Sequence, residues 1–346
     1  MHMAEYTVGF VPLARPTFDI SLAMAVAETA RAQLAAAGLG IRGPDELVTS
    51  LAAAEQVGDR LAERPLDLLV VFQATFADST MVKCLAGRVD AQHVGPPLLL
   101  WAVPEERTGG RLRLNSLCGI NLAGHALRRA GYRYEYMYAP PDDAAAVERV
   151  GTLARAGRVR RRLRGARIGR IGENPDGFES CLPNASGLKR HFGLEVVPVE
   201  LAQVFADARA APRQEVDAVA GALADRLDGW EALDQAAVRG TLAAYVALRR
   251  MAGQAGLHGL AVRCWPEFFT DLGCAACGAM SMLSDELTPC SCEADVNGTV
   301  TQLILQWLSG GPAFGTDMVS FEVAEDVAVL WHWGPASARR PAVTGG

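Results

Sequence analysis

The sequence predicts an α/β protein made of two successive Rossmann-like domains, each built on a parallel β-sheet. Apolar runs of strand length recur along the chain, as in Asp67 to Phe72 and Pro97 to Val103. A segment of helical composition, Asp45 to Arg64, precedes the first of these runs. Runs that are apolar at every position are typical of parallel strands buried on both faces, and their alternation with helices predicts α/β units.

A second series of strand–helix units begins at Arg167 to Ile171. We therefore predict a first domain over residues 1–165 and a second over residues 166–334. Residues 335–346 are rich in Pro, Ala and Arg, and we expect a short, loose C-terminal remnant there. The basic run from Arg155 to Arg170 alternates with apolar residues and is interpreted as a solvated helix face.

Composition excludes several classes of function. The 346 residues carry a net charge of −6 and a pI near 5.6, which argues against nucleic-acid binding. No apolar stretch has the length of a membrane span, and no signal peptide is expected at the N-terminus. Eight cysteines in a chain of this length do not indicate a disulfide scaffold, so we expect a protein of the reducing cytoplasm.

Polar residues follow several predicted strands, where ligands gather in sheets of this kind. Arg15, Gln73 and Asn115 occupy such positions, and Trp265 lies in the motif-rich C-terminal region. We predict that these four residues contact substrate, although each of the strand-end residues also suits a loop or a helix cap. No Gly-x-Gly-x-x-Gly or Walker-type loop follows these strands, so no nucleotide site is indicated.

Two interpretations compete for the region from Arg263 to Gly334. The first uses thiols: Cys274-x-x-Cys277 and Cys290-x-Cys292, with Cys264 nearby, could hold zinc or an iron–sulfur cluster. Because the second pair has a short spacing and the surroundings are apolar, packing cysteines are the simpler explanation.

The second interpretation uses hard ligands. Glu293 follows a short predicted strand, Asp317 lies one helix later, and His332 ends a further apolar run. A β-α-β interval would return Asp317 to the sheet edge that carries Glu293. Two carboxylates and one imidazole suit Mn²⁺, Mg²⁺ or Fe²⁺, whereas the alternative is two helix caps and a half-buried histidine.

At these residues the sequence resembles the L-fucose isomerase family, within the superfamily that includes L-arabinose isomerase. Glu293 stands in a Glu-x-Asp segment followed by Asn297-Gly298, as in that family. A Leu-Ser-Gly turn precedes Asp317, and His332 lies in a His-x-Gly context. The resemblance extends over most of the chain, but its specific part is residues 293–334.

The resemblance implies a metal-dependent aldose–ketose isomerase, an intramolecular oxidoreductase that transfers a proton through a metal-bound cis-enediol. Glu293, Asp317 and His332 would hold Mn²⁺, or else Mg²⁺, Fe²⁺ or Co²⁺, and the two carboxylates would also move the proton. The family precedent further implies a homo-oligomer with active sites between subunits and a small sugar as substrate.

The family carries a large domain after the second carboxylate, and we expect most of that domain to be missing here. Two alternatives therefore stay open. One is a catalytically inactive or regulatory sugar-binding protein of the same fold, and the other is a cysteine-ligated zinc or iron–sulfur protein.

Overall fold

The computed structural model describes residues 6–89, 95–106 and 109–331. These residues form two compact units, divided between Arg161 and Arg162. Each unit has a parallel sheet with helices packed against it, which confirms the predicted fold class. Within the described ranges, no helix combines the length and the apolar character that crossing a membrane would need.

The first unit is a five-stranded parallel sheet with the order β2-β1-β3-β4-β5. Its strands are β1 (Tyr6–Leu13), β2 (Leu39–Arg42), β3 (Leu68–Gln73), β4 (Leu98–Ala102) and β5 (Glu135–Tyr138). Its helices are α1 (Ile20–Ala36), α2 (Leu51–Ala62), α3 (Ser79–Val89), α4 (Ser116–Arg129) and α5 (Ala144–Leu163). The chain order reverses between β1 and β3, which is where ligands bind in open α/β sheets.

The core of the first unit explains why its central strands are apolar at every position except Gln73. Every residue of β3 and β4 is buried, because apolar clusters cover both faces of the sheet. Phe72 packs edge-on against Trp101 in one of these clusters, with ring centroids 5.2 Å apart. Strands buried on two sides need no polar alternation, as the sequence predicted.

Asp67 is a charged exception in this core. Its carboxylate is fully buried and accepts hydrogen bonds at 2.7 Å from Arg158 and at 2.7 Å from Arg161, both on α5. The backbone N–H of Thr7 donates to it as well, at 2.9 Å. Part of the basic run therefore pairs with a buried carboxylate, and its interpretation as a merely solvated face is wrong there.

The second unit has a four-stranded parallel sheet with the order β7-β6-β8-β9. Its strands are β6 (Arg167–Ile171), β7 (Glu195–Val199), β8 (Gly259–Val262) and β9 (Cys290–Ser291). Its helices are α6 (Ala185–Phe192), α7 (Leu201–Arg209), α8 (Arg213–Ala224), α9 (Gln235–Ala255), α10 (Glu267–Asp271), α11 (Cys277–Asp285) and α12 (Val296–Ser309). Here the chain order reverses between β6 and β8.

A separate antiparallel hairpin follows α12 and consists of β10 (Asp317–Glu322) and β11 (Val327–Trp331). The predicted return of Asp317 to the parallel sheet is therefore wrong. The strand that begins at Asp317 pairs with β11 through a short turn, and all its residues are exposed. The sequence placed Asp317 just after a strand of the parallel sheet, whereas it is the first residue of a hairpin strand.

Candidate active site

The carboxyl ends of β8 and β9 bring a carboxylate and two thiols together. Cys264 lies two residues after β8, and Cys292 and Glu293 follow β9 directly. Because these two strands are parallel neighbours, their ends meet at one edge of the sheet. In the described part of the chain, the one group of three potential metal ligands whose donor atoms all lie within 4.8 Å of one another is Cys264, Cys292 and Glu293.

An unusual backbone conformation places Glu293 at this edge. Glu293 and Ala294 both have positive φ, at 52° and 54°, in the left-handed region that residues with a Cβ rarely adopt. Such residues cost about 1–3 kcal/mol each and persist only where neighbouring groups stabilise them.

Asn174, which follows β6, supplies that stabilisation. Its side-chain amide nitrogen donates to the carbonyl oxygens of Glu293 at 2.7 Å and Ala294 at 3.2 Å. The same nitrogen lies 3.1 Å from the carbonyl oxygen of Cys181, and the amide oxygen accepts from Arg170 at 2.6 Å. The loop after β6 therefore fixes the backbone that carries the Glu293 carboxylate.

The Glu-x-Asp…Gly motif has a structural part that is distinct from Glu293. Asp295 caps the N-terminus of α12 by accepting a hydrogen bond from the backbone N–H of Gly298 at 3.0 Å. A Cβ at position 298 would lie 2.5 Å from a carboxylate oxygen of Asp295, so glycine permits the close approach. Asp295 is thus the helix cap, whereas the side chain of Glu293 is left to face the thiols.

The surroundings of Glu293 favour its protonated form. Burial raises the pKa of Glu293 above its ordinary value, and the negative charges of Asp317 and Asp295 raise the pKa further. The thiol of Cys264 opposes this by donating a hydrogen bond to Oε1 of Glu293 at 3.5 Å. A carboxyl group with a raised pKa is suited to exchange protons near neutral pH.

The structure places the three predicted metal ligands differently. Glu293 lies at the sheet edge, and Asp317 begins the hairpin close enough for its charge to act on Glu293. His332 lies outside the described residues. The proposed third ligand therefore stays a prediction.

The four cysteines of the alternative metal site do not form one group, because only one thiol of each pair reaches the sheet edge. Cys277 shares a hydrogen bond with Cys292, but Cys274 packs against Gly240 on α9. Cys290 is fully buried, and its thiol donates to the carbonyl oxygen of Thr288 at 3.4 Å.

An exposed aromatic residue lies beside this edge. Trp265 follows Cys264, is 43 % exposed and packs edge-on against Phe178 at 6.0 Å between ring centroids. The adjacent Arg263 forms an ion pair with Glu267 at 2.7 Å. Trp265 thus offers an apolar face next to a polar site, a common arrangement in ligand pockets.

The other predicted contacts belong to the first unit, at the carboxyl edge of its own sheet. The amide of Gln73 is completely buried and finds no hydrogen-bond partner for either polar atom among the described residues. Asn115 precedes α4 with a positive φ of 53°, and its backbone N–H donates to Glu105 at 2.6 Å. The exposed guanidinium of Arg15 lies over the ring of Phe76, 5.8 Å from its centroid.

Sequence reasoning did not assign a role to Asn174, which was part of an apparent turn. Its bond to Glu293 joins residues 119 positions apart, and no local pattern indicates such a contact. The one available signal was its place after a predicted strand, a position that it shares with several loop residues.

Comparisons with known proteins agree on one family. A family model described as fucose/sulfoquinovose isomerase, N-terminal domain, matches residues 9–164. A sulfoquinovose isomerase from Alkalicoccus urumqiensis is 33 % identical over 333 residues, which cover 95 % of this chain and 72 % of the relative. Sulfoquinovose isomerases from Priestia megaterium (strain ATCC 12872 / QMB1551) and Clostridium sp. (strain MSTE9) are 30 % and 29 % identical, covering 96 % and 97 % of this chain and 73 % and 74 % of the relatives.

Proposed function

The chain belongs to the fucose/sulfoquinovose isomerase family, a family of aldose–ketose isomerases, and from this premise we propose that it isomerises a sulfonated aldose such as sulfoquinovose. The relatives that carry this name match almost the whole chain, which supports the substrate class. The observation that carries the chemistry is Glu293, a buried carboxyl with a raised pKa at the ligand-binding edge of a parallel sheet.

Proton transfer at two adjacent carbons suits this site. A carboxylate removes the proton from C2 of the aldose while O1 gains a proton, which yields a cis-enediol. Return of a proton to C1, with loss of the proton from O2, then yields the ketose. We assign these transfers to Glu293 and Asp317. The raised pKa of Glu293 lets that group serve as both base and acid.

The carboxylates also fit a divalent cation. Asp317 and Asp295 repel the charge of Glu293, and a cation bound there would offset that repulsion. We propose that Glu293, Asp317 and His332 hold Mn²⁺ or a similar ion. When bound, the ion would polarise the sugar's carbonyl group and acidify the adjacent C–H.

Substrate contacts would come from the remaining predicted residues. The exposed indole of Trp265 offers an apolar surface for a sugar ring. Arg15, Gln73 and Asn115 of the first unit are kept as proposed contacts for hydroxyl or sulfonate groups. A homo-oligomer with active sites between subunits is part of the proposal. A cytoplasmic location is also part of the proposal, and eight cysteines that form no disulfide support it.

The test is turnover of sulfoquinovose, compared with glucose and glucose 6-phosphate, by the Mn²⁺-supplemented protein. Glu293→Gln should reduce turnover by at least about 10²-fold, because the amide cannot exchange the proton. Glu215→Gln is the matched control, since Glu215 is an exposed residue paired with Arg250 on the surface.

A measurement of Mn²⁺ binding, by the electron paramagnetic resonance signal of the ion, tests the metal site independently of turnover. Glu293→Gln and Asp317→Asn should each weaken binding. Full turnover in Glu293→Gln would refute the catalytic assignment. Sugar binding without turnover in the parent protein would favour a non-catalytic binding protein.

A further inference from the structure

Three thiols meet beside Glu293, and we call Cys264, Cys277 and Cys292 the thiol cluster. Cys264 and Cys292 are only 6 % and 8 % exposed. The thiol of Cys292 shares hydrogen bonds with those of Cys264 and Cys277. Cys264 in turn donates to Oε1 of Glu293 at 3.5 Å.

Packing alone does not account for this arrangement. A buried cysteine that serves as a small apolar side chain is surrounded by apolar atoms. Cys264 and Cys292 belong to the apolar core of the second unit, but Cys264 also faces a carboxylate and Cys292 faces two further thiols. The thiol cluster and Glu293 therefore place soft sulfur ligands and a hard oxygen ligand close together.

The distances match those of a zinc ion. With Zn–S of about 2.3 Å and Zn–O of about 2.1 Å, two ligands of a tetrahedral ion lie about 3.6 Å apart. The observed distance from Sγ of Cys264 to Oε1 of Glu293 is 3.5 Å, and all three donor atoms lie within 4.8 Å of one another. Two sulfurs and one oxygen leave a fourth position of a tetrahedral ion open.

We propose that Cys264, Cys292 and Glu293 bind a thiophilic divalent cation such as Zn²⁺. Thiolates select Zn²⁺ and its heavier analogue Cd²⁺ over Mn²⁺ and Mg²⁺, which prefer oxygen ligands. The backbone places the ligands without rearrangement of the strands, because parallel β8 and β9 end at the same edge.

Glu293 gives this site a consequence for activity, and this part of the inference rests on the proposed function. The proposed Mn²⁺ site needs Glu293 together with Asp317, and a Glu293 carboxylate held by Zn²⁺ beside two thiolates is lost to that site. Zn²⁺ therefore inhibits the isomerase by taking Glu293 from the Mn²⁺ site.

Cd²⁺ titration of the reduced, full chain tests the binding. We expect one Cd²⁺ per chain, seen as thiolate-to-cadmium charge-transfer absorption in the ultraviolet, with displacement by Zn²⁺. Cys264→Ser and Cys292→Ser should each weaken binding at least about tenfold and reduce the absorption, because each removes a sulfur ligand. Glu293→Gln should weaken binding while leaving the absorption per bound Cd²⁺ unchanged, because both thiolates remain.

Cys118→Ser is the control, since Cys118 is an exposed cysteine of α4 outside the thiol cluster. Circular dichroism checks that each variant is folded, and if Cys292→Ser does not fold, Cys264→Ser and Glu293→Gln decide. Parent-like Cd²⁺ binding in Cys264→Ser, or loss of binding in Cys118→Ser, would overturn the site.

The activity measurement is separate from the binding measurement. Zn²⁺ should inhibit the parent protein, and Cys264→Ser should need at least about tenfold more Zn²⁺ for the same inhibition. Binding of Cd²⁺ without inhibition by Zn²⁺ would leave the site in place and refute its link to the isomerase. A protein with no isomerase activity in any condition would overturn the proposed function but not the binding result.

Discussion

Replacement of Asn174 tests whether the backbone at Glu293 is held for function. In Asn174→Ala the carbonyl oxygens of Glu293 and Ala294 lose their donor while both residues keep positive φ. An amide nitrogen has two hydrogens, so at most two of its three carbonyl contacts have full strength. At about 1 kcal/mol for each neutral hydrogen bond, and more for a buried acceptor left unsatisfied, the loss is about 2–3 kcal/mol.

The assay combines urea unfolding with sugar turnover. A loop that no longer holds Glu293 should displace its carboxylate, and a displacement of about 1 Å costs on the order of 10²-fold in rate. We therefore expect the second unit to unfold at lower urea and kcat/KM to fall by roughly 10- to 100-fold. Asn174→Asp keeps the side-chain size and the bond to Arg170, so a similar loss would identify the amide donors as the cause.

Asn184 provides a control for stability alone. Its side chain caps α6 by accepting from Gly187 at 2.8 Å, and Asn184→Ala should cost about 1 kcal/mol without lowering kcat/KM. Parent-like turnover in both Asn174 variants would refute the positioning role. An equal loss of turnover in Asn184→Ala would show that the assay reports stability.

Three further predictions concern Asp67. Asp67→Asn should destabilise the first unit by about 3 kcal/mol in urea unfolding, because two arginines, Arg158 and Arg161, lose a buried carboxylate partner; an unchanged midpoint would contradict this. Burial raises the pKa of Asp67, but the hydrogen bonds from Arg158 and its neighbours together hold the pKa below 3.8. The contribution of Asp67 to the free energy of unfolding is therefore complete above about pH 4 and is lost as the pH falls through the folded pKa. This acid dependence should be absent in Asp67→Asn. Gly157→Ala should prevent native folding, since a Cβ there would lie 1.7 Å from the carbonyl oxygen of Asp67, whereas Gly151→Ala, with no atom within 4 Å, should be tolerated in the same thermal-unfolding assay.

Much of the fold was predictable because burial dictates local pattern. The strands at 68–73 and 98–102 are apolar at every position except Gln73, since helices cover both faces of their sheet. A helix between Glu293 and Asp317 was predicted and is observed as α12, because helical spacing of apolar residues is a local signal. Short β2 was not predicted, since one buried and three half-exposed residues provide too little pattern.

In the candidate site too, local pattern predicted some features and could not predict others. Glu293 and Asp317 could be selected from the sequence because both lie close to the end of an apolar run and match a family motif. The pairing of β10 with β11 could not be predicted, since strand pairing depends on contacts that sequence spacing does not encode.

The sequence by itself determined the α/β class, two successive series of strand–helix units and the family to which the chain belongs. Tertiary structure alone decided which side chains surround Glu293. Asn174 and Cys264 lie 119 and 29 residues from it along the chain, and they reach it because β6, β8 and β9 are parallel strands of one sheet that end at the same edge. The physical reason is that hydrogen bonds between strands act at any sequence separation, whereas apolar periodicity and helix capping act within a few residues.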